Sequence, residues 1–193
     1  DQDVAIVHIL VNDGVPIEND LIRGSVLGKK IDEDGFSIGG VLFGLFRPEE
    51  TTFTEETALL TAESNEIGVF GFFNVPYGHW IVRELKPAPA FVLNETLYPV
   101  TISEQEETIE ITAENRYITG AVQTTKVDAA YPGNKLSGAV FEVYVDVDGN
   151  REFDAAIDRP AGKLAETEPG IYRLDGLRYN GYFLHEAASP EGF

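Results

Sequence analysis

The chain has 193 residues, 43% of them hydrophobic, with 14 Lys and Arg against 33 Asp and Glu for a net charge of −19. That length and apolar content can bury two modest cores of roughly 90 to 100 residues each, and the charge repels a phosphate backbone or an anionic membrane surface, which excludes nucleic acid as a partner. Cys is absent, which removes any disulfide framework or zinc thiolate site, and neither a bilayer-spanning apolar run nor a charged-then-apolar leader is read in this stretch.

Alternating or β-rich runs follow one another along the chain. They predict strands at Val4 to Val11, Ile22 to Gly28, Gly40 to Phe46, Val69 to Asn74, Trp80 to Glu84, Tyr98 to Ile102 and Thr108 to Thr112. The same signal continues at Thr119 to Thr125, Ala139 to Val145, Ile171 to Leu174 and Tyr182 to His185. Turn chemistries stand between them, among them Asp34-Gly35, Pro76-Tyr77-Gly78, Pro132-Gly133-Asn134, Asp148-Gly149-Asn150 and Asp175-Gly176. The fold class is all-β, at the short spacing of a β-sandwich. Only Phe53 to Glu63 and Phe153 to Asp158 have room for a turn or two of helix.

The chain repeats itself. Residues 18 to 32, ENDLIRGSVLGKKID, return 96 positions later as residues 114 to 128, ENRYITGAVQTTKVD. Lys30-Ile31-Asp32 matches Lys126-Val127-Asp128, and Gly40-Val41-Leu42-Phe43 matches Gly138-Ala139-Val140-Phe141. Further on, Gly68-Val69-Phe70 matches Gly170-Ile171-Tyr172, and Trp80-Ile81-Val82-Arg83-Glu84 matches Tyr182-Phe183-Leu184-His185-Glu186. Phe91 and Phe193 each stand seven residues past the matched Glu. A residue shared by diverged copies is less often chance, so this pairing marks positions that matter. It divides the chain into residues 1–23 as closing strands of a preceding module, 24–119 as a complete module, and 120–193 as a second module without its closing strands.

The order Lys-x-Asp, Gly-Ala-x-Phe, Gly-x-Tyr, Tyr-x-x-x-Glu and Pro-Glu-Gly-Phe closely resembles the B-type repeat domains of the collagen-binding adhesin family, also used in Gram-positive pilins. The resemblance implies tandem transthyretin-like (reverse immunoglobulin-like) β-sandwich modules on a Gram-positive cell surface, anchored to the cell wall. It also implies an intramolecular isopeptide bond. Carried over residue by residue, the first module offers Lys30 as nucleophile, Asn115 as electrophile and Glu84 as the assisting acid. The second offers Lys126 and Glu186.

The chemistry of such a trio is sound on its own terms. Burial penalises the charged forms of an amine and a carboxylic acid, so a free amine and a neutral acid can coexist in an apolar core. The amine then attacks the amide, and the acid bonds the amide oxygen, stabilises the developing oxyanion and passes a proton to the departing ammonia. Fixed proximity supplies the remainder. Lys29 is the rival nucleophile, but the alignment with Lys126 favours Lys30. Residues 1 to 19 match residues 97 to 115, so Val4-Ala5-Ile6 and Val15-Pro16-Ile17-Glu18-Asn19 read as closing strands. They are expected to complete a second module in a neighbouring molecule, with Asn19 brought to Lys126 and Glu186.

A second constellation lies in the other repeat. Asp146, Asp148, Asn150, Glu152 and Asp154, followed by Asp158, place oxygen ligands at the spacing by which a calcium loop wraps a hard cation. Arg151 stands where an EF-hand has its sharp-turn Gly, and Ile157 where it has its bidentate Glu. The pattern also resembles the calcium loops of staphylococcal-type B repeats, and Ca²⁺ is the one cation expected, with no cofactor required. Pro48-Glu49-Glu50-Thr51 occupies that place in the first repeat and offers nothing comparable. His8, His79 and His185 share no spacing, so neither zinc nor a Ser-His-Asp arrangement is indicated. His185 and Arg83, at one offset before the two Glu residues, are expected to face solvent. Tyr131-Pro132-Gly133-Asn134-Lys135 is read as a tight turn rather than a pilin crosslinking motif.

Together these readings describe a structural stalk or pilus-shaft segment that crosslinks itself without turnover, its partners being neighbouring modules. The alternative is an adhesin segment that contacts a host matrix protein or glycan, which would show as an exposed aromatic patch or an affinity retained by the isolated segment. A two-carboxylate glycosidase is disfavoured because Glu84 and Glu186 belong to separate repeats.

Overall fold

The computed structural model describes residues 20–193, so the expected strand at Val4 to Val11, and Asn19 with it, lie outside the described residues. Every regular element within that range is a strand. Strand β1 (Arg23–Asp32) alternates strictly, turning Gly24, Val26, Gly28, Lys30 and Asp32 inward. It is flanked on both sides, antiparallel by β4 (Val69–Pro76) and in parallel by β7 (Thr108–Asn115). Opposite lies a four-stranded sheet in the order β3 (Leu60–Glu63), β2 (Leu42–Phe46), β5 (Gly78–Lys86) and β6 (Tyr98–Ile102). Val26, Phe43, Phe70, Phe72, Val82, Val100 and Ala113 close the core between the sheets. Gly28 is required here: the Phe70 ring comes within 2.0 Å of where a Cβ would stand, and that ring stacks on Phe43 at 3.8 Å.

The second half repeats this plan with fewer strands. β8 (Thr119–Thr125), β12 (Ile171–Arg178) and β11 (Ala165–Glu168) form one sheet, and β13 (Tyr182–Ala188), β9 (Val140–Val145) and β10 (Arg159–Lys163) form the other. Its core is smaller, built on Phe141, Val143, Leu164, Tyr172 and Leu177. β1 has neighbours on both sides, whereas β8 pairs with β12 alone; β5 pairs with β2 and β6, whereas β13 pairs with β9 alone among the described residues. Among the described residues, β8 and β13 are thus outer strands of their sheets.

Two sequence expectations are corrected. The stretch Phe53 to Glu63 closes a single turn through Ala58 N to Thr54 O and then extends into β3, and Asp154 to Asp158 likewise closes one turn before β10. Pairing of β3 and β10 with their sheets outweighs the weak local helix preference. Arg83 does not face solvent: its guanidinium lies 4.6 Å from the Phe53 ring and pairs with Glu95 at 2.9 Å.

Candidate crosslinking site

Strand periodicity alone turns Lys30 and Asp32 into the core, and both are buried. The parallel register sets Lys30 opposite Ala113 and Asp32 opposite Asn115, so the Lys30 side chain meets Asn115 from the adjoining strand two residues on. Glu84 enters from β5 across the sandwich. All three are essentially sealed: Lys30 is 0%, Glu84 1% and Asn115 1% exposed. Lys30 Nζ lies 2.5 Å from Asn115 Oδ1 and 3.0 Å from Glu84 Oε2, and Asn115 Nδ2 donates to Glu84 Oε1 at 2.9 Å.

Burial pushes the Lys30 ammonium below its ordinary pKa, while the hydrogen bond and charge of Glu84 and the charge of Glu114 pull it partly back. The contact at Glu84 differs from the sequence expectation, since Glu84 holds the amide nitrogen and not the oxygen. Lys30 occupies the oxygen. The acid is thus already on the atom that would leave as ammonia, and the amine stands beside the carbonyl it would attack. Lys29, the rival, points away and donates to Ile67 O.

The backbone of Lys30 is clamped as well. Its N–H donates to Gly68 O at 2.6 Å and its carbonyl accepts from Ile38 N at 3.1 Å. Gly68 has φ +74 and would place a Cβ 2.3 Å from Lys30 O, so only Gly allows this approach. The repeat-matched Gly170 has φ +70 and makes the same bond to Lys126 N.

Sequence reasoning missed Asn94. Its backbone N–H approaches Glu84 Oε1 at 3.4 Å, and its side chain donates to Glu114 O at 2.7 Å and Tyr98 Oη at 3.1 Å. Residues 92–96 and 114–116 line a cavity of about 360 Å³ beside the trio. Asn94 sits in a loop with no counterpart in the repeat comparison, so nothing in the pattern singled it out.

In the second half Lys126 Nζ pairs with Glu186 Oε2 at 2.7 Å, with side chains 24% and 29% exposed. Glu186 Oε1 is buried without a hydrogen-bond partner among the described residues. Asn19 lies outside the described residues, so no carboxamide stands at this pair among them.

Asp146, Asp148 and Asp158 present carboxylate oxygens within 4.8 Å of one another. Asp146 is 5% exposed, and its Oδ1 is buried without a partner among the described residues while Oδ2 accepts from Arg151 N. Asp158 accepts from Val147 N and Asp154 N. Arg151 adopts φ +65, so the turn is made although the expected Gly is missing. Glu152 and Asp154 do not join this group of three, and Asn150 turns its amide nitrogen to Asp148. His79 Nδ1 lies 2.9 Å from Thr101 Oγ1, His185 is exposed, and His8 lies outside the described residues. Asn134 N to Tyr131 O closes the tight turn read there. No helix among the described residues is long and apolar enough to cross a membrane.

Residues 24–117 match the family model of the SpaA prealbumin-like fold domain. The match covers just under half of the chain, and it agrees with the all-β sandwich and with the likeness to B-type and pilin modules. The Bacillus anthracis TIE protein is similar in structure, with TM-score 0.69 and 23% identity over 88% of this chain, which spans 29% of that one. A streptococcal ancillary pilin (TM-score 0.45, 22% identity, 91% of this chain and 56% of that chain) is more distant. So is the shaft pilin SpaA of Lactobacillus rhamnosus GG (TM-score 0.37, 15% identity, 88% and 89%). No curated protein sequence matches the chain.

Proposed function

We propose that the chain is a load-bearing segment of a stalk or pilus shaft on a Gram-positive cell surface, whose module 24–119 is locked by an amide between Lys30 and Asn115. The observation that carries this is the sealed contact of an amine, a carboxamide and a carboxyl group at 2.5 to 3.0 Å. Lys30 Nζ adds to Asn115 Cγ, the Cγ–Nδ2 bond breaks, and the amine's proton passes by way of Glu84 to Nδ2, which leaves as ammonia. The bond closes a sequence separation of 85 residues. By the loop-entropy formula for disulfides that closure is worth roughly 4 to 5 kcal/mol. It ties β1 to β7, so tension entering at Arg23 crosses to Asn115 through one covalent link and bypasses the hydrophobic core.

Intact mass under denaturing conditions tests this directly. The chain should weigh one ammonia less than its sequence, and an unmodified mass would sink the reading.

The Asp146, Asp148 and Asp158 group supports a Ca²⁺ site in the second half. The unpartnered, buried Asp146 Oδ1 is the observation behind it, because an orphaned carboxylate oxygen is costly unless a cation or water meets it. Adding Ca²⁺ to chelator-treated protein should raise the melting temperature of the second half. An unchanged curve in wild type, or an equal rise in Asp146→Asn, would count against it.

A further inference from the structure

The loop at residues 92–96 ties the acid of the first sandwich to the strand that carries its electrophile, and it does so through one residue. Asn94 donates its backbone N–H to Glu84 Oε1 at 3.4 Å, the same oxygen that accepts from Asn115 Nδ2 at 2.9 Å. Its carboxamide nitrogen donates to Glu114 O at 2.7 Å and to Tyr98 Oη at 3.1 Å, and its Oδ1 accepts from Thr96 N at 2.9 Å. Val92 N donates to Arg116 O at 2.9 Å. Carbonyls two residues apart along an extended chain face the same side. The loop therefore grips the chain on both sides of Asn115 and leaves the carboxamide between them turned into the core.

These bonds, rather than close packing, set the loop's place. Residues 92–97 belong to no strand, and Asn94 is half-buried. Residues 92–96 and 114–116 line a cavity of about 360 Å³ instead of closing on one another.

The Glu84 carboxyl needs such a hold. Its terminal torsion is broad and roughly two-fold, yet it must present one oxygen to Lys30 and the other to Asn115 at once. When Nδ2 departs as ammonia, Oε1 loses that donor, and a carboxyl group left in the core without one is costly. The Asn94 N–H stays, and at 3.4 Å it has room to shorten as Nδ2 withdraws. Its bond to the acid is weakest in the resting contact and strengthens along the reaction, which is what speeds a step rather than only holding its reactants.

Resting on the amide-forming reading above, we propose that Asn94 is a positioning residue for the crosslink: its backbone N–H aims Glu84 at the Asn115 nitrogen, and its side chain fixes that N–H in place by holding the Glu114 carbonyl. Lys30 Nζ adds to Asn115 Cγ, the Cγ–Nδ2 bond breaks, and the amine's proton passes through Glu84 to the departing ammonia. Asn94 itself gains and loses no proton.

The test makes the chain in a short cell-free pulse, quenches it in denaturant at intervals, and reads intact mass for the loss of ammonia, with the folded fraction followed in parallel by protease resistance. Among folded chains Asn94→Ala should form the bond about tenfold to a hundredfold more slowly than wild type. Asn94→Asp, of the same shape, should be as slow, since a carboxylate accepts from Thr96 N but cannot donate to Glu114 O. It keeps the test decisive if the alanine variant folds poorly. Ile102→Val, whose side chain lies against Gly24 at the far end of β1, lowers stability without touching the loop and should react at the wild-type rate. A wild-type rate in folded Asn94→Asp, or equal slowing in Ile102→Val, overturns the proposal and leaves the Lys30–Asn115 bond standing. A wild-type chain that never loses ammonia would instead remove the bond itself, and the role of Asn94 with it.

Discussion

Lys30 with Glu84 and Lys126 with Glu186 are the same residues at matched places, yet the first pair is sealed and the second is about a quarter open to solvent. The difference lies in the strands outside them. β7 lies against β1 and brings Ala113 and Asn115 over the first pair, and nothing among the described residues lies against the outer edge of β8. On the proposed reading, reactivity is therefore a property of the closed sandwich, since closure supplies the electrophile and the burial that favours a neutral amine. A Lys and a Glu at the right spacing are only half of the site.

The largest effect that would break this contrast is removal of the acid or the amine. Glu84→Ala and Lys30→Ala should each restore the full mass and lower the stability of the first sandwich by about 4 to 5 kcal/mol, while the second sandwich melts as before. Of the two, Glu84→Ala should cost more at neutral pH, because it leaves Lys30 buried without its partner. Equal losses in both sandwiches would contradict the assignment. Next in size is Gly68→Ala, which puts a methyl group 2.3 Å from Lys30 O at positive φ and should cost about 1 to 3 kcal/mol. It should also leave a fraction of molecules without the bond, visible as two masses.

Acidity sharpens the comparison further. In Asn115→Ala no bond can form and Lys30 keeps its amine, with a folded pKa below the ordinary lysine value because of burial. Between those two values the unfolded chain holds more protons than the folded one, so stability should rise with pH across that window. The cost of the buried charge is fully present below the folded pKa. Denaturant midpoints against pH should show this rise in Asn115→Ala and lose it in Lys30→Ala with Asn115→Ala. A flat profile in the single variant would mean that Lys30 is not desolvated.

Much of this was legible in the sequence, for a physical reason. Strands with one buried face alternate with period two, so Tyr98–Ile102 and Thr119–Thr125 fall where their patterns place them, and an internal repeat picks Lys30 and Glu84 out of 14 basic and 33 acidic residues. β3, β10 and β11 were missed because they are edge strands of only four or five residues with no fully buried position, too short for a period to stand out. The orientation of the Asn115 amide depends on which neighbour reaches each end of it, and Asn94 depends on a loop path. Neither leaves a periodic trace.

The joint between the sandwiches should give the smallest effect. Only Arg116, Tyr117 and Ile118 separate β7 from β8. Tyr117 Oη donates to Asp32 Oδ2 at 2.6 Å, its ring packs on Phe91 at 4.6 Å, and the Arg178 guanidinium lies 4.0 Å from that ring. Arg178 also pairs with Asp34 at 2.7 Å and Glu33 at 3.5 Å, but its side chain is 46% exposed. A cation over an exposed ring contributes about 0.5 to 1 kcal/mol, and an exposed ion pair about as much or less. Arg178→Ala should accordingly leave the melting of each sandwich within about 1 kcal/mol of wild type. What it should change is how the halves tumble, since the clasp is their main polar contact beyond the backbone bond from Tyr179 N to Ile118 O. NMR relaxation should give one correlation time for both sandwiches in wild type and two in Arg178→Ala, and high salt should move wild type toward the variant through screening of the ion pairs. One shared correlation time in the variant would place the rigidity of the joint in the three-residue connection and its backbone bonds instead.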